Sequence, residues 1–323
     1  MSRALVIHTE DLDATPAAWL GERCDLIACA PGEDRFERLL GRADGLIVRT
    51  YTRVDAALLD RGSRLRVVAR AGAGIDNIDV PACRARGIEV VYRPDANAQA
   101  VAEFVGAILL SNLRPIATLD RALPREQWIT LRREQIVPRQ ADELTLGIWG
   151  LGRVGTRVAR LGAGLGMRVI YTDLLEIPEG ARHGGEPVDR LRLLRESDVL
   201  SIHVDGRVDN RGLLDAAALE LVRPEVLILN TSRGFVVDAS ALAAFLREHA
   251  GACAWLDVHE PEPFDAGYPL LGLPGAHLSA HVASATAAAK REMCWVVKDV
   301  WRVLGGETPE FPAPDSPGCR TLG

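Results

Sequence analysis

Arg233, Glu262 and His281 are the residue types that an acid–base site needs. Each stands in a distinctive segment: Asn230-Thr231-Ser232-Arg233-Gly234, Asp257-Val258-His259-Glu260-Pro261-Glu262-Pro263 and Ala280-His281. Arginine offers a planar fork that matches a carboxylate. Histidine exchanges protons near neutral pH, and a hydrogen-bonded carboxylate favours its charged form and fixes its tautomer. Upstream, Gly150-Leu151-Gly152-Arg153-Val154-Gly155 has the spacing of a pyrophosphate turn. Gly150 would make the tight turn, Gly152 would let phosphates approach the backbone, and Gly155 would let helix and strand pack closely. The amides of Arg153 and Val154 would then face the phosphates from a helix N-terminus. Asp173, 18 residues beyond Gly155, stands where a carboxylate accepts from ribose hydroxyls and repels a 2′-phosphate, which predicts NAD rather than NADP.

The elements that must position these residues are legible as alternation. Before residue 100, short apolar runs at Ala4 to Ile7, Leu26 to Cys29, Leu46 to Val48, Val67 to Ala69 and Ile88 to Val91 alternate with polar, helix-like stretches such as Arg35 to Leu40 and Val80 to Arg86. That is the pattern of βαβ units and a parallel sheet. Val101 to Leu110 is apolar on most sides and reads as a buried helix at a domain or subunit junction. A second series runs through Leu144 to Trp149, Arg168 to Tyr171, Val199 to Val204, Val226 to Leu229 and Ala252 to Val258. Val154, Val158 and Leu161 share one helical face, and Asp238 precedes a helix that it could cap. Ala285 to Leu304 reads as one long helix returning to the first domain, and the tail from Pro309 to Gly323 is expected to be poorly ordered. The predicted fold class is α/β, with two doubly wound parallel-sheet domains. Residues 1–98 plus 287–323 would form a flavodoxin-like substrate domain, and residues 99–286 a Rossmann NAD-binding domain.

Bulk properties narrow the function. With 323 residues of which 48% are hydrophobic, the chain can bury two α/β cores. A formal charge of -6 argues against a surface built for nucleic acid. No apolar run reaches the ~20 residues that a membrane helix needs. The opening residues read as a first strand rather than a signal peptide. Six scattered cysteines (Cys24, Cys29, Cys83, Cys253, Cys294, Cys319) show no metal-ligand spacing, so no metal is expected and most should be buried thiols in a reducing, cytoplasmic setting.

Taken together, the sequence resembles the D-isomer-specific 2-hydroxyacid dehydrogenase family, most closely its phosphoglycerate dehydrogenase-like branch. The resemblance rests on Leu46-Ile47-Val48-Arg49-Thr50, Arg70-Ala71-Gly72-Ala73-Gly74-Ile75-Asp76-Asn77-Ile78-Asp79, Asn97 to Glu103, the Gly150 to Gly155 turn, Asn230 to Gly234, Asp257 to Pro263 and Ala280-His281. It implies an NAD-dependent oxidoreductase that interconverts a D-2-hydroxy acid and its 2-keto acid. Its catalytic residues would be Arg233, Glu262 and His281. Thr231, Ser232, Arg233, His203 and His281 would lie near the cofactor, and Asp257 near the nicotinamide. Arg49, Arg70, Asn97 and the Ala71 to Gly74 loop, whose amides could form a carboxylate nest, would face the substrate together with Arg233 and His281. It also implies a homodimer paired through the cofactor domain and the helix after Asn97, with domain closure excluding water.

The chain departs from the family pattern at His203-Val204-Asp205-Gly206-Arg207, where the family often has a proline two residues after the histidine. It departs again around His281, flanked by Ala280 and by Val282-Ala283-Ser284, and in a long segment between Trp128 and Leu144 that holds Arg132, Arg133 and Arg139. His259 competes with His281 as proton carrier, but a loop histidine facing solvent is the reading its position favours. Arg49, Arg70 and Arg93 each follow an apolar run and could bind a second anion, such as a substrate phosphate or distal carboxylate; solvated or salt-bridged arginines explain them equally well. The alternative function is a dinucleotide-sensing, corepressor-like regulator on the same scaffold.

Overall fold

The computed structural model describes residues 3–314, divided into two units: residues up to Ala100 together with those from Ser284 onward, and Val101–Ala283. In the first unit, β1 (Leu5–His8), β2 (Asp25–Ala28), β3 (Gly45–Val48), β4 (Val67–Arg70) and β5 (Glu89–Tyr92) form a parallel sheet in the order β2-β1-β3-β4-β5. This is the flavodoxin-type winding. All four residues of β3 are buried, as continuous apolar runs require when a sheet is covered on both faces. Ile7, Leu46 and Val48 pack on one side and Val6, Ile47 and Val67 on the other; each fully buried side chain of this size contributes about 1.5–3 kcal/mol.

The second unit has β6 (Thr145–Trp149), β7 (Arg168–Thr172), β8 (Glu186–Pro187), β9 (Val199–Ile202), β10 (Leu227–Asn230), β11 (Cys253–Leu256) and β12 (Ala276–Leu278), ordered β12-β11-β10-β9-β6-β7-β8. All the pairings are parallel. Starting from β6, this is the Rossmann winding with one added strand, and its switch point lies between β6 and β9. Helices begin where aspartates cap them: Asp238 accepts from the amides of Ser240 and Ala241, and Asp189 from that of Arg192.

Two local expectations are corrected. The segment from Ala285 is two helices, Ala287–Cys294 and Val297–Leu304. At the break, Val296 donates to Met293 and Lys298 to Trp295, so the backbone tightens to i→i+3 bonding. The tail from Pro309 is docked as far as Ala313. The buried Asp299 carboxylate accepts from the amides of Glu310 and Phe311, Pro312 bridges Val91, and Ala313 donates to Val90. Cys319 and the remainder of the tail lie outside the described residues.

Candidate active site and dinucleotide turn

The Gly150 to Gly155 turn connects β6 to the helix Arg153–Gly164. Gly150 has φ +93°, and a Cβ there would meet the His203 carbonyl oxygen at 2.8 Å. A Cβ on Gly155 would lie 2.1 Å from the Gly150 carbonyl oxygen. Both positions therefore need glycine. The helix starts at Gly152 without a side-chain cap, which leaves the first-turn amides of Arg153 and Val154 directed outward, as an anion requires. Asp173, just past β7, accepts the Leu151 amide at 2.7 Å and the Leu175 amide at 3.0 Å, so its carboxylate is fixed beside the turn. These residues fit a dinucleotide.

Arg233, Glu262 and His281 follow three neighbouring strands, β10, β11 and β12. Asn230, fully buried, shapes the first of these segments. Its Oδ1 accepts from the Ser232 amide and hydroxyl, and its Nδ2 donates to the Arg233 carbonyl at 3.0 Å. The Ser232 hydroxyl is thus engaged inside the turn. Arg233 Nη1 donates to the Ser232 carbonyl at 2.7 Å.

His281 Nδ1 lies 2.8 Å from Glu262 Oε2. The other carboxylate oxygen, Oε1, accepts the His259 amide at 2.6 Å. Burial works to raise the Glu262 pKa, but the bonds from His281 and from the His259 amide prevail and hold it below the ordinary carboxylate value. Glu262 therefore stays ionised near neutral pH and accepts a hydrogen bond from His281 Nδ1, which leaves Nε2 without a partner in this pair. His281 has φ +54°, a left-handed conformation that histidine adopts more readily than most residues. Its amide donates to the Asp257 carbonyl at 2.8 Å.

Asp257, expected near the nicotinamide, is 2% exposed. Its carboxylate accepts from the Ser279 hydroxyl at 2.6 Å and from the amides of Val282 and Ala283 at 2.8 and 2.7 Å, so it clamps the loop on both sides of His281.

The other histidines are reassigned by their surroundings. His203 is buried, with Nε2 2.8 Å from the Ser201 hydroxyl and Nδ1 3.4 Å from that of Thr231. Burial pushes its pKa down to about 3, so the ring is neutral, and the His203 carbonyl packs on Gly150. His259, expected to face solvent, is 7% exposed.

In the first unit the expected anion-binding arginines are engaged. Arg49 Nη1 donates to the Asp11 carbonyl. Arg70 bonds Asn77 Oδ1 and the Ala71 carbonyl and curls over Gly72, where a Cβ would meet its Nη1 at 2.2 Å. Arg93 pairs with Glu292 at 3.5 Å and lies over the Phe311 ring. In the loop, the Ala71 and Gly72 amides bond the Val48 and Arg70 carbonyls, which reduces the expected nest to Ala73 and Gly74. Asn97 is half-buried and directly precedes the helix Ala98–Leu113. Sequence reasoning assigned no role to Glu10, whose carboxylate accepts all four amides of Arg49 to Thr52, nor to Asn77, which donates to the Arg49 and Thr52 carbonyls; a lone polar residue carries no local signal of such distant partners.

Residues 106–283 match the family model described as D-isomer specific 2-hydroxyacid dehydrogenase, NAD binding domain. The chain belongs to the D-isomer specific 2-hydroxyacid dehydrogenase family. This NAD-dependent dehydrogenase is 37% identical over 308 residues to (S)-sulfolactate dehydrogenase of Chromohalobacter salexigens, covering 93% of this chain and 98% of that one. It is 35% identical over 311 residues to D-3-phosphoglycerate dehydrogenase of Mycobacterium leprae, covering 95% of this chain but 58% of that longer protein. Among solved structures, a glyoxylate reductase from Paecilomyes thermophila superposes on the dehydrogenase with a TM-score of 0.82 at 25% identity, covering 98% of this chain and 99% of that one. The geometry itself contributes one point of chemistry: an ionised carboxylate and an imidazole share a hydrogen bond at the carboxyl ends of a doubly wound sheet.

Proposed function

We propose that the dehydrogenase interconverts a small D-2-hydroxy acid and its 2-keto acid, with Arg233, Glu262 and His281 as catalytic residues and Val101–Ala283 as the cofactor domain. The observation that carries this reading is the 2.8 Å bond from His281 Nδ1 to Glu262 Oε2, which leaves Nε2 as the proton-transfer atom. Bound NAD would supply or accept the hydride. Arg233 holds the substrate carboxylate and polarises the carbonyl. During reduction His281 Nε2 gives its proton to the developing alkoxide, and during oxidation it takes the hydroxyl proton back, while Glu262 stabilises the imidazolium between the two. The residues around the carboxyl ends of the first sheet, Arg49, Arg70, Asn97 and the Ala73-Gly74 amides, are our candidates for substrate selection. The cytoplasm suits a chain whose Cys24, Cys29, Cys83, Cys253 and Cys294 are all free thiols.

Two observations bear on the substrate class. Relatives are named for sulfolactate, phosphoglycerate and glyoxylate, two of which carry a second anion, and Arg49 and Arg93 each spend only part of their donors on protein partners. We therefore favour an anionic 2-keto acid, with these two arginines as the groups that would meet a distal phosphate, sulfonate or carboxylate. Steady-state NADH and NADPH oxidation should be compared over 2-keto acids with and without a distal phosphate, sulfonate or carboxylate. The expected result is turnover with NADH at a kcat/KM at least ~10-fold above that with NADPH, a difference of ~1.4 kcal/mol. Preference for NADPH would remove the role given to Asp173. Tight NADH binding without turnover of any acid would replace our reading with the dinucleotide-sensing one.

We also propose a homodimer. The helix Arg125–Glu134 has no buried residue, and Leu110, Ile116, Trp128, Ile129 and Ile136 are exposed apolar side chains on or after the helix Ala98–Leu113; their concentration in one stretch of chain supports an association face there. Sedimentation should give a dimer for the wild type and a monomer for Trp128→Glu. A monomeric wild type at micromolar concentration would end the idea.

A further inference from the structure

We propose that His259 is a positioning residue for proton transfer, holding the segments that carry Arg233, Glu262 and His281 in one mutual register. The inference rests on the catalytic reading of those three residues. His259 reaches each segment by a different group. Its amide donates to Glu262 Oε1 at 2.6 Å, so the carboxylate whose other oxygen meets His281 is aimed by two donors. Its ring Nε2 lies 2.8 Å from the Ser279 carbonyl. A carbonyl only accepts, so Nε2 carries the ring proton and Nδ1 is left to accept from the Tyr268 hydroxyl at 3.4 Å. Ser279 lies two residues before His281. The third contact is backbone on backbone: a Cβ at Gly234, the residue after Arg233, would fall 2.0 Å from the His259 carbonyl carbon and oxygen.

The ring itself has little freedom. It is 7% exposed and meets the Phe264 and Tyr268 rings edge-on, with centroids 4.8 and 5.5 Å away. Reacting groups displaced by about 1 Å can cost ~100-fold in rate, so a bond that sets the path of the strand approaching His281 bears on kcat rather than on cofactor affinity.

The test compares His259→Phe, which keeps a ring but no donor, with His259→Gln, whose amide nitrogen can take the place of Nε2. His259→Phe is expected to lower kcat for keto-acid reduction about tenfold, with the KM for NADH unchanged within about twofold, and His259→Gln to restore most of the loss. A second readout needs no turnover. The downfield imidazole N–H resonance of the His281–Glu262 bond, identified by its disappearance in His281→Ala, should broaden in His259→Phe and return in His259→Gln. If the Phe variant does not fold, His259→Asn, whose amide falls short of Ser279, takes its place against Gln. Unchanged kcat and resonance in the donor-free variant, or a Gln variant as impaired as Phe, would overturn the proposal. A wild type that reduces no 2-keto acid would instead defeat the functional reading, while the resonance still decides the role of His259.

Discussion

Replacing His281 lowers kcat for 2-keto acid reduction by about 10²–10⁴-fold, the usual worth of a positioned general acid, and leaves NADH binding intact. Asparagine is the cleaner substitution. His281 holds φ +54°, which asparagine tolerates and alanine resists, so His281→Asn removes the imidazole without straining the loop that Asp257 clamps. His281→Ala should be equally inactive and less stable. The two directions of the reaction should also respond to pH in opposite senses. Reduction requires the imidazole charged and declines as pH rises; oxidation requires it neutral and declines as pH falls. Glu262 adds an acid-side limit. Because its folded-state pKa is depressed, its contribution to stability is present above the ordinary carboxylate value and is lost as pH falls through the depressed one. Initial rates in both directions across pH, for the wild type and Glu262→Gln, test the scheme: the variant should lose rate in both directions, since its imidazole has lost the carboxylate that orients it, and should lose the acid-side limit that Glu262 imposes. An active His281→Asn, or parallel pH responses in the two directions, would show that the proton travels elsewhere.

Arg233→Lys costs about 10²–10³-fold in kcat/KM for the keto acid, comparable to removing an oxyanion-hole donor. The charge is retained, so a loss of that size isolates geometry. Lysine presents a point charge on a flexible stem, whereas the guanidinium can hold a carboxylate with two parallel bonds while its Nη1 is anchored on the Ser232 carbonyl. Both kcat and KM should deteriorate, since carboxylate binding is common to ground and transition states and carbonyl polarisation is not. NADH affinity, measured by fluorescence titration, should stay constant. A lysine variant with wild-type kcat/KM would leave Arg233 no bidentate role.

Much of this architecture was legible as alternation. Ten of the strands named above fall within about two residues of the apolar runs that announced them, because both sheets are parallel and buried on two faces, and such strands must be continuously apolar. The short Glu186–Pro187 strand and the helices Ala14–Gly21 and Ala56–Arg61 were not announced, being brief and of mixed pattern. The positions of Arg233, Glu262 and His281 were readable because each follows a strand. What escaped depends on partners distant in sequence. His259 looked like a solvent-facing loop residue because nothing nearby reveals that the Ser279 carbonyl, 20 positions on, will cover it. The partners of Arg70 and Arg93 were hidden because Asn77, Glu292 and Phe311 give no local warning. The docked tail depends on Asp299 in the same way.

The Asp257 clamp has a mechanical consequence. The chain leaves the second unit at Ala283, only two residues beyond His281, and the amides that Asp257 grips are those of Val282 and Ala283. Any pull transmitted along the backbone from Ser284 meets a buried carboxylate before it reaches the imidazole. The anchorage holds the loop that carries His281 from within its own unit, so the imidazole stays fixed independently of the backbone beyond Ala283.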